Sequence, residues 1–409
     1  MAGSRKDKKG RVLRKGETQR SRDGKYVYTY TGPDGKRRSI YSKDILKLRE
    51  REDKLIKDRL DGLNVSAALN TVNRVFDRFI SLKSGISDDT KKFYIYMYNH
   101  YIRDCRLGSL KIADVRYSDI LQLYQYLVKE KELKLKTLGV IHAVIHQVFQ
   151  LALRDNIIKS NPSDGVLADV KKIPGNKQEI RHALSPEQQR VFIRYVEESP
   201  EFYGWTSLFK FLLGTGCRIG EAIGLRWSDV DFENRLININ HSLKYYGNKR
   251  KERFGVSTTK TAAGMRTIPM MDAVYETLKD ELEYQQENGF CKEKIGEMND
   301  FIFVNGSGML HIPGQVNKTI MRIYKNYNAN EVLNAEKEQR EPVILPHFTC
   351  HNLRHTFCSR LCENETNIKV IQSLMGHSSI QITMDVYTEI TEQKKQEAIQ
   401  NLANKINVF

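Results

Sequence analysis

His351-Asn352-Leu353-Arg354-His355-Thr356-Phe357 is the stretch on which the reading of this chain turns. A histidine and an arginine three residues apart are neighbours on one helical face. The run therefore sets an acid–base group beside a planar, permanent cation. Further on comes Leu374-Met375-Gly376-His377-Ser378-Ser379, and ten residues after His377 stands Tyr387, in Met384-Asp385-Val386-Tyr387-Thr388. Upstream, Gly214-Thr215-Gly216-Cys217-Arg218-Ile219-Gly220-Glu221 puts glycines before an arginine, so a tight turn lets Arg218 project from a helix start. Between these lie a strand-like run at 236–240 and the segment 258–269, which reads as a hairpin with Lys260 near its turn. Taken singly, each feature is ordinary. An arginine after a glycine turn is usually structural, and a loop lysine is usually a solvated charge.

A metal site is the rival reading of the same region. His351, His355, Cys358 and Cys362 form a stripe on one helix, but its ends lie about 16 Å apart at 1.5 Å per residue. Zinc bonds of about 2.0–2.3 Å cannot gather all four. His142 and His146 stand i, i+4, yet Ala143 occupies the place of the glutamate in H-E-x-x-H. Neither set argues for a metal.

Charge points to the partner. The chain of 409 residues has 66 Lys plus Arg against 50 Asp plus Glu, a net charge of +16. Residues 1–40 carry 13 of those cations and 4 acids, so +9 lies in the first tenth. A front-loaded basic arm suits a polyanion, most simply nucleic acid, although a solvated tail has the same composition. No stretch nears 18 consecutive apolar residues, so no transmembrane helix is expected, and no apolar core follows the basic start as a secretory signal requires. Six scattered cysteines (105, 217, 291, 350, 358 and 362) suit reduced thiols and a cytosolic location.

Three regimes follow one another. In the first, Lys25-Tyr26-Val27-Tyr28-Thr29-Tyr30 alternates with period 2, Gly32-Pro33-Asp34-Gly35 signals a turn, and Lys36-Arg37-Arg38-Ser39-Ile40-Tyr41 returns as a partner strand. A short strand at 11–15 completes a three-stranded sheet, and Ser42 caps a helix over 43–60. A sheet face rich in Arg and Lys can enter a major groove or simply be solvated. The candidate contacts are Arg11, Arg14, Lys25, Tyr28, Lys36, Arg37 and Arg38. The second regime is helical, with Val72, Val75, Phe76 and Phe79, then Leu121, Leu123, Tyr124 and Leu127, then Val140, Val144, Val148 and Leu151 at helical spacing. The aromatic run 93–101 is expected to pack between helices. A linker over 171–182 leads to Ser185-Pro186-Glu187-Gln188, a capping box that opens the third regime.

Taken in order, Arg218, Lys260, the His351-x-x-Arg354 pair, His377 and Tyr387 resemble the catalytic set of the tyrosine recombinases. The flanks T-G-x-R-x-x-E, H-x-L-R-H-T-F and M-G-H match as well, over about 185–391. The basic sheet arm is similar to that of integrases of conjugative transposons, and Ala262 departs from relatives that often carry a polar or basic residue there. The resemblance implies a multidomain fold. A small α+β N-terminal arm domain (three-stranded sheet plus helix) covers 1–62, and an all-α core-binding domain covers 65–170. A mainly α catalytic domain with a small antiparallel sheet covers 182–391. A C-terminal helix over 392–409, with Ile399, Leu402, Ala403 and Ile406 on one stripe, packs on its own domain or, as in the family, docks on a neighbouring protomer.

The implied chemistry is cutting and rejoining of DNA through a 3′-phosphotyrosyl link on Tyr387, to integrate and excise a mobile element. Arg218 and Arg354 bind the phosphate, Lys260 protonates the leaving 5′-oxygen, His351 serves the tyrosine as acid–base, and His377 hydrogen-bonds the phosphate. Glu221 buttresses the site. No ATP, metal or other cofactor is expected. Double-stranded DNA with core and arm sites, a homotetramer on a Holliday junction, an excisionase and a host DNA-bending protein are the implied partners, in the bacterial cytosol at the nucleoid. The alternatives are a non-catalytic architectural DNA-binding protein and a strand-cleaving relative such as a type IB topoisomerase or telomere resolvase.

Overall fold

The computed structural model describes residues 5–32, 35–60, 63, 70–172, 183–247, 252–258 and 264–388. The chain divides into two compact units, 1–179 and 180–409.

The first unit begins with an antiparallel sheet of β1 (Glu17–Gln19), β2 (Tyr26–Thr31) and β3 (Arg37–Ser42), in that order, followed by helix α1 (Ile45–Leu60). Pairing of Tyr26 with Ser42, Tyr28 with Ile40 and Tyr30 with Arg38 puts the three tyrosines on one face, as the alternation predicts. Tyr26 packs there against Ile45 and Leu48 of α1, with Tyr28 and Ile40 alongside. Two expectations shift. The third strand is β1, not 11–15, where Val12 makes only an isolated bridge to Lys6. The chain turns at 14–17 because the buried Glu17 carboxylate takes the Arg14 amide (2.7 Å) and the Arg49 guanidinium (3.0 Å). The helix starts later than expected, since Asp44, not Ser42, accepts from the Leu46 amide (2.8 Å). Pro33 and Asp34 of the expected turn lie outside the described residues.

The α-helices that follow among the described residues are α2 (Val72–Leu82), α3 (Asp88–Tyr98), α4 (Arg106–Ser109), α5 (Tyr117–Lys129), α6 (Leu135–Arg154) and α7 (Val166–Lys171). Their core takes Val72, Val75, Phe76, Phe79, Tyr124, Leu127, Val144 and Val148, as the spacing predicts. Leu121, Leu123, Val140 and Leu151 sit at its rim, and Leu138, Ile141, Ile145 and Phe149 form the inner line of α6. The aromatic run divides. Tyr98 is buried and stacks on Phe76 at 3.6 Å, but Phe93 and Tyr96 are exposed, because a helix turns successive aromatics to opposite sides.

The second unit holds α8 (Pro186–Glu198), α9 (Thr206–Thr215), α10 (Ile219–Gly224), β4 (Val230–Asp231), β5 (Leu236–Ile239), β6 (His241–Tyr245), β7 (Phe254–Thr258) and β8 (Arg266–Pro269). It continues with α11 (Asp272–Asn288), α12 (Pro313–Glu338), α13 (Cys350–Asn364), α14 (Ile368–Met375) and α15 (380–388). The capping box at Ser185 forms as read, Ser185 and Gln188 exchanging bonds of 3.0 and 3.1 Å. Of the hairpin expected over 258–269, residues 259–263 lie outside the described residues, and the described strands on either side take other partners. β7 pairs with β6, whereas β8 pairs with β5 in the sheet β4-β5-β8. Burial decides this, since Ile268 and Ile237 pair directly and both enter the main core. Helix α9 is the hub, with Leu208, Phe209, Phe211, Leu212 and Leu213 buried around its circumference. Gly214 lets α11 approach, because a β-carbon there would meet Val274 at 2.4 Å. The left-handed Gly216 (φ 62°) ends α9 and turns the chain toward Arg218.

A pH dependence of the first unit follows from Glu52. Burial and the neighbouring Glu17 carboxyl push it up to about 7, with Arg14 opposing and Asp53 adding. A carboxyl raised by folding contributes stability below about 4.5, its ordinary value, and loses it as pH rises through about 7. Hydrogen exchange of α1 amides should therefore quicken from pH 5 to pH 8 beyond the intrinsic rate. Glu52→Gln should abolish that excess.

Candidate active site

Arg218 stands at the start of α10, where its amide donates to Glu221 Oε2 (2.9 Å) and its Nη1 to Glu221 Oε1 (2.7 Å). Arg266 on β8 approaches the same carboxylate from the other side, Nη2 to Oε2 at 2.8 Å, and both partners are almost wholly buried, at 4% and 3% side-chain exposure. Burial pushes the Glu221 carboxyl up, but Arg266 and Arg218 outweigh it and hold it below the usual range. It is therefore a fixed anion between two arginines.

Helix α13 opens at Thr349, whose amide donates to Asn352 Oδ1 (3.1 Å). His351 is exposed while Arg354 is buried. Arg354 Nη1 donates to the Gly216 carbonyl at 2.6 Å, and Nη2 donates to the Met375 carbonyl. Burial, then the positive charge of Arg218, lower the Arg354 guanidinium to about 10, so it stays a cation at neutral pH. The end of α14 is met by three arginines in succession. Arg266 Nε takes the Leu374 carbonyl (2.8 Å), Arg354 takes Met375, and Arg218 Nη2 takes Gly376 (2.9 Å). A helix C-terminus leaves its last carbonyls unsatisfied and carries partial negative charge, so cations belong there. The left-handed Gly376 (φ 61°) then delivers His377, whose Nδ1 lies 2.9 Å from the Thr383 hydroxyl of α15. Burial and the surrounding cations, Arg354 first, push His377 down to about 3, so its imidazole is neutral at neutral pH.

A cleft of about 220 Å³ is lined by Arg218, His351, Arg354 and His377, with His355, Cys358, Met375, Ile382 and Val386. Four of the six expected catalytic residues thus converge. Tyr387 is half-buried on α15, packed on the cluster of Phe357, Cys358, Cys362, Ile371 and Met375 beside the cleft-lining Val386. Lys260 and the segment 392–409 lie outside the described residues. Arg266 and Thr383 were not singled out from the sequence, and His355 entered only as part of the metal stripe. Arg266 left a usable signal, since it shares the inward phase of β8 with Ile268.

Among the described residues, no group of three or more His, Cys, Asp or Glu could hold a metal. His142 pairs with the Tyr124 hydroxyl (3.2 Å) and His146 with Ser163 (3.0 Å), so both serve the core of the first unit. No helix among the described residues is long and apolar enough to cross a membrane. The candidate DNA contacts of the arm divide as well. Arg11 is tied to Asp7 (2.8 Å) and Arg14 to Asp53 (2.7 Å), and Lys25 lies 3.6 Å from Asp23. Tyr28 and Arg38 are on the face turned toward α1. Lys36 and Arg37 are exposed, and Arg37 shares the open face with Thr29, Thr31, Ser39 and Tyr41.

Residues 182–394 match the phage integrase family. The chain belongs to that family. Residues 1–59 match the DNA binding domain of Tn916 integrase. The transposase from transposon Tn916 of Enterococcus faecalis is 28% identical over 406 residues, covering 96% of this chain and 95% of that protein. The integrase of the Tn1549 transposon, solved in complex with a circular intermediate DNA, is 27% identical with a TM-score of 0.69, covering 80% of this chain and 99% of that one. Lambda integrase bound to a core site shares the fold, with a TM-score of 0.53 at 18% identity. Within the family, the chain is a tyrosine recombinase of the conjugative-transposon integrase type, an enzyme that cuts and rejoins DNA.

Removing Glu221 would leave Arg266 buried and unpaired, which typically costs about 3–5 kcal/mol. Glu221→Ala should lower stability by that amount in chemical denaturation of the full chain. A loss under about 1 kcal/mol would mean that the pair is replaceable by solvent.

Proposed function

We propose that Tyr387 is the nucleophile and that Arg218, Arg354, His351, His377 and Lys260 activate the phosphodiester around it. The observation that carries this reading is one cleft lined by two arginines and three histidines, beside the helix that bears Tyr387. The Tyr387 oxygen attacks phosphorus, a 3′-phosphotyrosyl bond forms, and the bond to the 5′-oxygen breaks. Covalent capture keeps the phosphodiester energy, so attack by another 5′-hydroxyl reverses the step without ATP. His351 takes the tyrosine proton, which a phenol of ordinary pKa near 10 does not release unaided at neutral pH. Lys260 gives a proton to the leaving oxygen. Arg218 and Arg354 meet the charge that develops on the non-bridging oxygens, each such preorganised donor being worth about 3 kcal/mol of barrier. With Nδ1 engaged by the Thr383 hydroxyl, the tautomer of neutral His377 that is protonated at Nε2 presents that N–H to the phosphate.

The partner is double-stranded DNA, with core sites at the catalytic domain and separate arm sites at the N-terminal sheet. Strand exchange through a Holliday junction calls for four protomers, with 392–409 docking on a neighbour, and integration and excision draw on an excisionase and a host DNA-bending protein. The location is the bacterial cytosol. The domains are those of the sequence reading, 1–62, 65–170, 182–391 and 392–409. In the arm, the open face with Arg37 and Lys36 is the DNA-contacting side. Arg38 and Tyr28 support it from beneath.

Two measurements test this. A nicked suicide duplex, its core sequence selected by the protein from a randomised pool, should yield a covalent protein–DNA adduct that Tyr387→Phe abolishes. An adduct persisting in that variant would remove Tyr387 from its role, and no adduct at all would favour an architectural protein. For the arm, Arg37→Ala should weaken binding to selected arm duplexes and reduce the slope of log affinity against log salt by about 1. An unchanged slope would move the interface to another face.

A further inference from the structure

The reaction scheme gives Arg266 no task, yet its side chain is tied to several of the elements that frame the site. Its Nη2 donates to Glu221 Oε2 at 2.8 Å and lies 3.7 Å from Cys217 Sγ, while Nε takes the Leu374 carbonyl at 2.8 Å and Nη1 reaches the Gly264 carbonyl at 3.4 Å. Arg266 is buried like Arg354, but unlike Arg354 it is not among the residues that line the cleft. Glu221 in turn fixes both the backbone and the guanidinium of Arg218. Leu374 is the first of the three carbonyls that lead to His377. We propose that Arg266 is a positioning residue of the catalytic centre, a tie between the start of α10 and the end of α14 that sets the distance from Arg218 to His377.

The inference rests on the catalytic roles given above to Arg218 and His377. Its physical basis is the planar fork of arginine, which serves a carboxylate and a carbonyl at fixed angles. A lysine ammonium keeps the charge beside Glu221 but cannot hold both partners in one plane. Loss of the tie would leave the Arg218–Gly376 bond as the direct link between Arg218 and the His377 turn, and would let both shift from their places. Displacement on the order of 1 Å costs about 10²-fold in rate.

The experiment compares Arg266→Lys, Arg266→Gln and Tyr387→Phe with the parent chain on the selected nicked duplex. It measures duplex affinity, the single-turnover rate of adduct formation, and the His377 ring titration by NMR. Arg266→Gln should bind within about twofold of the parent and form adduct about 10²-fold more slowly. Arg266→Lys should bind normally and lose about tenfold, with the His377 midpoint displaced in both variants. Adduct formation at the parent rate in both would overturn the proposal. So would affinity falling in step with rate, which marks a merely structural residue. Should Arg266→Gln fail to fold, Arg266→Lys and its His377 midpoint decide alone. An adduct in Tyr387→Phe would instead overturn the assignment of the nucleophile, leaving the comparison of Arg266 variants still readable.

Discussion

One buried carboxylate organises the catalytic unit. Glu221 lies between Arg218 and Arg266, and its charge survives burial only because both cations are held against it. An isolated ion of this kind would be strongly penalised in the interior. The arrangement therefore works as a whole or not at all, and it explains why α10, β8 and the end of α14 meet at one point. Around it the core does the ordinary work of burying apolar surface, with α9 at the centre and aromatic pairs such as Phe192 with Phe209 and Phe348 closing the packing. The polar cluster decides where the ends of those elements come to rest.

Much of the site was legible because its chemistry is compressed into short runs. His351 and Arg354 lie on one helix, and Arg218 and Glu221 on one turn, so local spacing fixes their relation. Arg266 was not legible for the opposite reason. Its meaning depends on β8 pairing with β5, thirty residues upstream in the chain, and not with the nearer β7. Strand pairing is non-local, so the sequence reads β7 and β8 as neighbours although each pairs elsewhere. The same limit applied to the arm. Alternation grouped Tyr26, Tyr28 and Tyr30 on one face but could not say which face α1 covers, and so Arg38 was grouped with Arg37 although they point to opposite sides.

Helical periodicity behaved differently. Along α6 it located the helix and named inward residues, yet it favoured a line through Val140 and Leu151, which sit at the rim, over Leu138, Ile141 and Ile145 at the centre. A helix nearly apolar all round carries little phase information, and its neighbours choose the inner line. The exposed Phe93 and Tyr96 make the converse point, since aromatic character alone does not guarantee burial.

The three carbonyls at the end of α14 have one more consequence. Arg218 and Arg354 are held by protein oxygens, so neither is free to search through rotamers. Their orientational entropy is surrendered once, during folding. Such a site behaves as a gauge and not as a hand. On the proposed roles, it cannot reach for a phosphodiester that stands in the wrong place, and the fidelity of cutting passes from the side chains to the seating of the duplex itself.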